Sequence, residues 1–310
     1  MHGEALRGVR SVAAVFVAAA VLGATGCAAS SSAPPVASGR VLRVVAVEDF
    51  WGSIASQVGG SHVQVTSIVT NPDADPHAYE PTAADARLVA RADLVIDNGI
   101  GYDAWVGRLL GAAGGRRTVL DVGRVVGVAT GGNPHRWYNP DDVRKVIAAY
   151  TADVVALDPG DAAVLAAQSA TYTTVGLHDY DATIADIEAR YAGTPVGASE
   201  SIFSMMAPVL GLEVVTPDSF LRAISEGTDV SAADKEAIDH QISRHLIKVY
   251  VYNRQNATPD VQAQLGECKR AGIPTVTITE TLTPATATFQ AWQTAQLRAL
   301  EAALRAATGR

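Results

Sequence analysis

Short segments rich in β-branched residues alternate with helix-forming segments from residue 41 to the end of the chain. Strands that are separated by helices pair in parallel, and the loops at their carboxyl ends are where such sheets bind ligands. The sequence therefore predicts an α/β fold of mainly parallel β-sheets flanked by helices. The predicted strands are residues 41–47, 63–69, 94–96, 118–122, 194–198, 212–215, 249–252 and 275–278. The predicted helices are residues 50–58, 82–92, 103–110, 161–191, 199–211, 231–245, 259–271 and 286–307.

One predicted helix is much longer than the others. Residues 161–191 contain no proline and a single glycine, and their apolar residues recur at helical spacing. A continuous helix of this length spans about 45 Å, enough to run along two lobes. We therefore predict an N-terminal lobe over residues 41–155, one long rigid linking helix over 156–192 and a C-terminal lobe over 193–310. Such a helix is a poor hinge, so we expect little closure when a ligand binds.

The first 26 residues have the pattern of a signal peptide. Arg7 and Arg10 precede an apolar run over residues 11–24, which is too short for a membrane span. The run ends in small residues followed by Cys27, as in a bacterial lipoprotein cleavage site. We predict that Cys27 becomes the lipidated first residue of the mature chain. The alternative is an ordinary secretory signal with an incidental cysteine.

The segment after Cys27 and the remaining cysteine agree with an anchored, extracytoplasmic protein. Residues 27–40 are rich in Ser, Ala and Pro, which suits a flexible tether. Cys268 is then the only other cysteine, so no intramolecular disulfide is expected. The formal net charge of the whole chain is −8, which disfavours a nucleic-acid partner and tolerates cations.

Two histidines lie in matching proline-bounded frames. His77 occurs in the run Asp75-Pro76-His77-Ala78-Tyr79-Glu80-Pro81-Thr82, and His135 in Asn133-Pro134-His135-Arg136-Trp137-Tyr138-Asn139-Pro140. Each histidine is held on a short stiff loop before a helix, which suits a metal ligand or a catalytic base. After His77, Thr82 and Asp85 make the N-cap signature of the helix that follows. A lone histidine of this kind is more often a surface residue bonded to its own turn. The repeated frame indicates one shared task.

Two carboxylates follow predicted strands of the C-terminal half. Glu200 comes after the strand at 194–198, and Glu280 after the strand at 275–278. Each half of the chain therefore supplies two nitrogen or oxygen donors at the loop edge of its sheet.

Together these motifs resemble the metal-binding solute-binding proteins of bacterial ABC transporters, the zinc and manganese lipoproteins of the ZnuA, TroA and PsaA type. The resemblance covers essentially the whole mature chain. It implies that His77, His135, Glu200 and Glu280 are the four ligands of a divalent transition metal, Mn²⁺ or Zn²⁺, in a cleft between the lobes. It also implies a non-catalytic protein, expected to be monomeric, that delivers the ion to a membrane permease.

The chain departs from the family pattern at several positions. Glu280 stands where the family usually has Asp, and Asn139 stands where the family has a carboxylate that would support the ligands. A His-rich loop is absent between His77 and His135. In this family Glu at the position of Glu200 goes with manganese more often than zinc, whereas zinc has the higher intrinsic affinity. We therefore expect both ions to bind, with manganese as the physiological ligand.

Two other function classes remain open at this point. Two histidines and two carboxylates are also the donors of a metal-dependent hydrolase. However, the sequence contains no His-Glu-x-x-His motif and no Ser/His/Asp signature. The other alternative is an adhesin-like lipoprotein with a degenerate metal site. Stoichiometric metal binding and turnover of a substrate distinguish the three.

Overall fold

The computed structural model describes residues 40–73 and 75–310. The predicted signal peptide, Cys27 and the tether up to residue 39 lie outside the described residues. Among the residues described, no helix combines the length and the apolarity that a membrane span requires.

The N-terminal lobe is a four-stranded parallel sheet flanked by helices, as predicted. Its strands are β1 (Leu42–Glu48), β2 (Val63–Val69), β3 (Leu94–Asp97) and β4 (Thr118–Asp121), in the order β2-β1-β3-β4. Its helices are α1 (Asp49–Gly59), α2 (Ala83–Arg91), α3 (Trp105–Ala113) and α4 (Val122–Val126), the last of which was not predicted. β1 is almost entirely buried, because a central parallel strand is covered on both faces.

The connection between the lobes is helical but is not one uniform α-helix, so that prediction was wrong in detail. It comprises α5 (Pro140–Leu157), α6 (Ala162–Thr171), a π-helical turn at Tyr172–Gly176 and α7 (His178–Tyr191). The buried Tyr172 ring lies against Gly176, where an added Cβ would come within 2.8 Å of Tyr172 Cδ2. The close approach of this ring accompanies the wider π-helical turn.

The C-terminal lobe repeats the topology of the first. Its strands are β5 (Pro195–Ala198), β6 (Glu213–Val214), β7 (Tyr250–Asn253) and β8 (Thr275–Ile278), all parallel and in the order β6-β5-β7-β8. Its helices are α8 (Asp218–Ser225), α9 (Ala232–Ser243), α10 (Pro259–Ala271) and α11 (Phe289–Thr308). Thus β7 lies between β5 and β8, which brings the loops after these two strands to either side of it.

The predicted helix at residues 199–211 is wrong. This segment forms successive turns with one 3₁₀ turn at Phe203–Met205. Its backbone bonds include Ser204 N–H to the Ser201 carbonyl, one residue shorter than the α-helical spacing. Pro208 cannot donate a backbone hydrogen bond. In addition, α8 follows β6 where no helix was predicted.

The largest of three hydrophobic clusters contains residues of both lobes, while each of the other two lies within one lobe. Phe50 of α1 stacks on Trp137 with ring centroids 4.0 Å apart, and Tyr138 meets Trp292 of α11 edge-on. α6 packs on α1 and α5, whereas α7 packs on α11. Because the lobes share a continuous apolar interface, they resist rotation relative to each other.

Candidate metal centre

His77 lies on a short loop whose two ends are capped. Its backbone N–H donates to Asp75 Oδ1 at 2.9 Å, which caps the 3₁₀ turn at Pro76–Ala78. Thr82 and Asp85 then form the predicted capping box at the start of α2. The His77 Nε2 atom is buried and has no hydrogen-bond partner among the described residues. Buried polar atoms are normally paired, so this nitrogen is available to a ligand.

His135 is completely buried and is oriented by its neighbours. Its Nδ1 lies 2.8 Å from Asn133 Oδ1, and the Asn133 amide in turn donates to the Ser201 carbonyl of the other lobe. Nδ1 therefore carries the proton, and the Nε2 lone pair is free to ligate. Burial, reinforced by His77, holds the pKa of His135 well below its usual range, so the ring stays neutral. As with His77, Nε2 has no hydrogen-bond partner in the described part of the chain.

Glu200 and Glu280 each lie two residues past the end of a strand, β5 and β8 respectively. Both side chains are buried. Asn253, the last residue of β7, donates from Nδ2 to Glu200 Oε2 at 2.8 Å and to Glu280 Oε1 at 2.6 Å. Burial and then repulsion from Glu280 raise the pKa of Glu200 well above its usual range, and burial likewise raises the pKa of Glu280.

The four predicted residues converge on one point. One ligand atom from each of His77, His135, Glu200 and Glu280 lies within 4.8 Å of all the others. His77 Nε2 lies 3.4 Å from Glu280 Oε2, while His135 Nε2 lies 3.7 Å from Glu200 Oε1 and 3.8 Å from Glu280 Oε2. Donor atoms at the corners of a tetrahedron with 2.1 Å bonds are about 3.4 Å apart. The observed separations are close to that value, so the cluster has the dimensions of a metal centre.

Tyr102, which no sequence motif singled out, joins the two lobes at the cluster. Its hydroxyl donates to Glu280 Oε2 at 2.7 Å, and its ring lies edge-on to His77 with centroids 4.6 Å apart. The preceding loop has positive φ at Gly99, Ile100 and Gly101. The two glycines after a strand were the available signal for such a turn, but they do not specify that Tyr102 reaches Glu280.

Asn139, which stands where the family pattern has a carboxylate, caps a helix in this structure. Its Oδ1 accepts the backbone N–H groups of Asp141 and Asp142 at 3.0 and 3.1 Å. Asn139 is therefore the N-cap of α5. The amide that does contact the carboxylates is Asn253, which comes from the other lobe.

A cavity of about 870 Å³ adjoins the cluster between the lobes. His77 and Tyr102 line it from the N-terminal lobe, and Ser201 and Ser225 line it from the C-terminal lobe. Its lining also includes the charged residues Asp75, Asp218, Glu226 and Arg222. The excess of carboxylates favours the entry of cations.

Comparison with known proteins identifies the family. The family model for the periplasmic zinc-uptake complex component A, ZnuA, matches residues 44–303. The chain belongs to the ZnuA family. This membership agrees with the resemblance found in the sequence motifs.

Curated relatives are similar to parts of the chain. The manganese-binding lipoprotein MntA of Halalkalibacterium halodurans is 28% identical over 154 residues, 48% of this chain and 50% of the relative. PsaA of Streptococcus mitis, a manganese ABC transporter substrate-binding lipoprotein, is 36% identical over 27% of this chain and 28% of its own length. The iron-binding protein YfeA of Yersinia pestis is 25% identical over 80% of this chain and 78% of its own. The chain thus spans half or less of the length of the first two relatives.

Solved structures share the fold. The periplasmic zinc-binding protein TroA of Treponema pallidum has a TM-score of 0.71 at 18% identity, covering 85% of this chain and 99% of that one. An Mn-bound S38A mutant of a periplasmic metal-binding protein from Candidatus Liberibacter asiaticus gives the same values. These likenesses confirm the two-lobe α/β architecture.

Proposed function

We propose that this protein is the extracytoplasmic solute-binding component of an ABC importer, and that it captures Mn²⁺ or Zn²⁺ between its lobes. The observation that carries the proposal is the convergence of four ligand atoms from two lobes within 4.8 Å. Two imidazole nitrogens with two carboxylate oxygens form a donor set for divalent first-row metals. In this proposal His77, His135, Glu200 and Glu280 are the metal ligands.

The relatives support transport as the role of the bound ion. Their names describe manganese-binding and iron-binding proteins, and PsaA is named as a substrate-binding component of an ABC transporter. Membership of a zinc-uptake family is also consistent with transport rather than catalysis. The ion is therefore the transported ligand, its destination is a membrane permease, and no turnover of a substrate is expected.

The geometry accounts for capture by a protein in two lobes. Each lobe supplies two ligands, and a bound ion would join the His77 loop to the loop of Glu280. The two glutamates must lose their protons before they ligate, so binding releases protons. A single chain supplies the complete donor set, in keeping with a monomer.

The anchoring part of the proposal concerns Cys27. MntA and PsaA are named lipoproteins, and a lipidated Cys27 would tether the protein to the outer face of the cytoplasmic membrane. Cys27→Ser should move the protein from the membrane fraction to the soluble fraction. A variant that stays with the membrane contradicts anchoring by Cys27.

Elemental analysis of protein purified without chelator tests the metal-binding proposal. Wild type should carry one equivalent of transition metal, and His77→Ala should carry much less. We expect the metal affinity of His77→Ala to fall by more than about 100-fold, because the loss of a residue that only supports a ligand already lowers metal affinity by about 10–100-fold. His178→Ala is the matched control: it removes the same side chain from α7, where His178 is exposed beside Asp179. Equal metal content in wild type and His77→Ala would refute the assignment of His77.

A further inference from the structure

Asn253 holds the two carboxylates of the cluster at the same time. Its Oδ1 accepts the backbone N–H of Gln255 at 3.0 Å, so both hydrogens of its Nδ2 are directed to the other side. There they meet Glu200 Oε2 and Glu280 Oε1. We call these two atoms the outer oxygens. The position follows from strand order, because β7 lies between β5 and β8.

The remaining carboxylate atoms, Glu200 Oε1 and Glu280 Oε2, are the inner oxygens. Each lies within 3.8 Å of His135 Nε2, and the inner oxygen of Glu280 also lies 3.4 Å from His77 Nε2. The inner oxygens therefore face the imidazoles, while the outer oxygens face Asn253. The inner oxygens also accept hydrogen bonds, Glu280 Oε2 from the Tyr102 hydroxyl at 2.7 Å and Glu200 Oε1 from the Ser225 hydroxyl at 3.3 Å. A carboxylate that chelates through both oxygens must turn its outer oxygen toward the ion. That rotation breaks a charge-assisted hydrogen bond to Asn253.

We propose that Asn253 is a positioning residue that restricts Glu200 and Glu280 to one ligand oxygen each, so that the centre selects a four-coordinate ion of the zinc class. This inference rests on the proposed metal-binding function. Four donors satisfy the tetrahedral preference of Zn²⁺, whereas Mn²⁺ suits sites with more oxygen ligands. Asn253 thus favours zinc over manganese. This is the opposite of the preference for manganese that the sequence analysis inferred from Glu200.

Competition calorimetry with Zn²⁺ and Mn²⁺ tests the selectivity. In Asn253→Ala both carboxylates are free to chelate, so the ratio of zinc affinity to manganese affinity should fall by about tenfold or more. Asn256→Ala is the matched control, because Asn256 lies in the loop that follows β7 and donates to the Ile224 carbonyl instead of a ligand. Its ratio should equal that of wild type. An unchanged ratio in Asn253→Ala would overturn the proposal.

The visible spectrum of the Co²⁺-loaded protein reports the coordination number directly. Four-coordinate Co²⁺ absorbs visible light much more strongly than six-coordinate Co²⁺, so wild type should show intense bands that weaken in Asn253→Ala. The wild-type spectrum decides the matter even if that variant fails to fold: weak bands in wild type would overturn the inference. If wild type binds none of the three ions, the proposed function fails. If it binds them without the spectral or selectivity change, only the role of Asn253 fails.

Discussion

Asp49 is expected to make the free energy of unfolding fall as the pH rises. Asp49 is 6% exposed, and its carboxylate accepts the backbone N–H of Leu282 at 3.1 Å, which joins α1 to the loop that carries Glu280. Burial raises the pKa of Asp49 from 3.8 to about 7, against the opposing effect of the Leu282 hydrogen bond. The folded state therefore holds this proton more tightly than the unfolded chain. The resulting stabilisation is complete below pH 3.8 and is lost as the pH rises through the folded pKa.

The magnitude follows from the pH interval over which only the folded state is protonated. In an experiment between pH 5 and pH 8, Asp49 is protonated only in the folded state from pH 5 up to its folded pKa of about 7. Over these two pH units the free energy of unfolding should fall by roughly 3 kcal/mol. Asp49→Asn keeps an oxygen that can accept the Leu282 N–H but removes the titrating group. From pH 5 to pH 8 the free energy of unfolding of this variant should therefore fall by roughly 3 kcal/mol less than that of wild type. Urea unfolding in the presence of a chelator, followed by circular dichroism, measures the difference. Equal pH dependence in wild type and variant would show that Asp49 is already ionised when folded.

Three further predictions concern the cap, the lobes and the ligands. Asn139→Ala should destabilise the protein by about 1 kcal/mol through loss of the α5 cap and leave metal affinity unchanged. Weaker metal binding by this variant would show that Asn139 does support the metal ligands. Small-angle scattering should show almost no change in radius of gyration when metal binds, because one core joins the lobes, and a marked compaction would contradict this. Since the pKa values of Glu200 and Glu280 are raised, apparent metal affinity should increase with pH, with proton release detected by calorimetry in buffers of different ionisation enthalpy. A pH-independent affinity between pH 5 and pH 8 would exclude those shifts.

The local features that the sequence predicted correctly depend on neighbouring residues. The capping box of Thr82 and Asp85 is readable because its partners are three residues apart. Strands such as β8 and helices such as α10 are bounded by proline and glycine signals. The convergence of His77, His135, Glu200 and Glu280 was expected from the family resemblance, and the parallel topology explains why loop residues meet there.

The features that the sequence missed depend on distant packing. Asn253 contacts both glutamates only because β7 is placed between β5 and β8, which no local pattern specifies. Tyr102 donates to Glu280 from the opposite lobe. The π-helical turn at Tyr172 reflects how that ring packs against Gly176. The preference for manganese was inferred from the residue type of Glu200, which does not show that Asn253 donates hydrogen bonds to the outer oxygens.

The most direct test of the metal centre is anomalous diffraction from crystals of protein loaded with Zn²⁺, recorded on both sides of the zinc absorption edge. The ligand assignment predicts one strong anomalous peak at about 2.0–2.2 Å from His77 Nε2, His135 Nε2, Glu200 Oε1 and Glu280 Oε2. A peak bonded to other residues, or an empty cluster in crystals that hold zinc elsewhere, would contradict it.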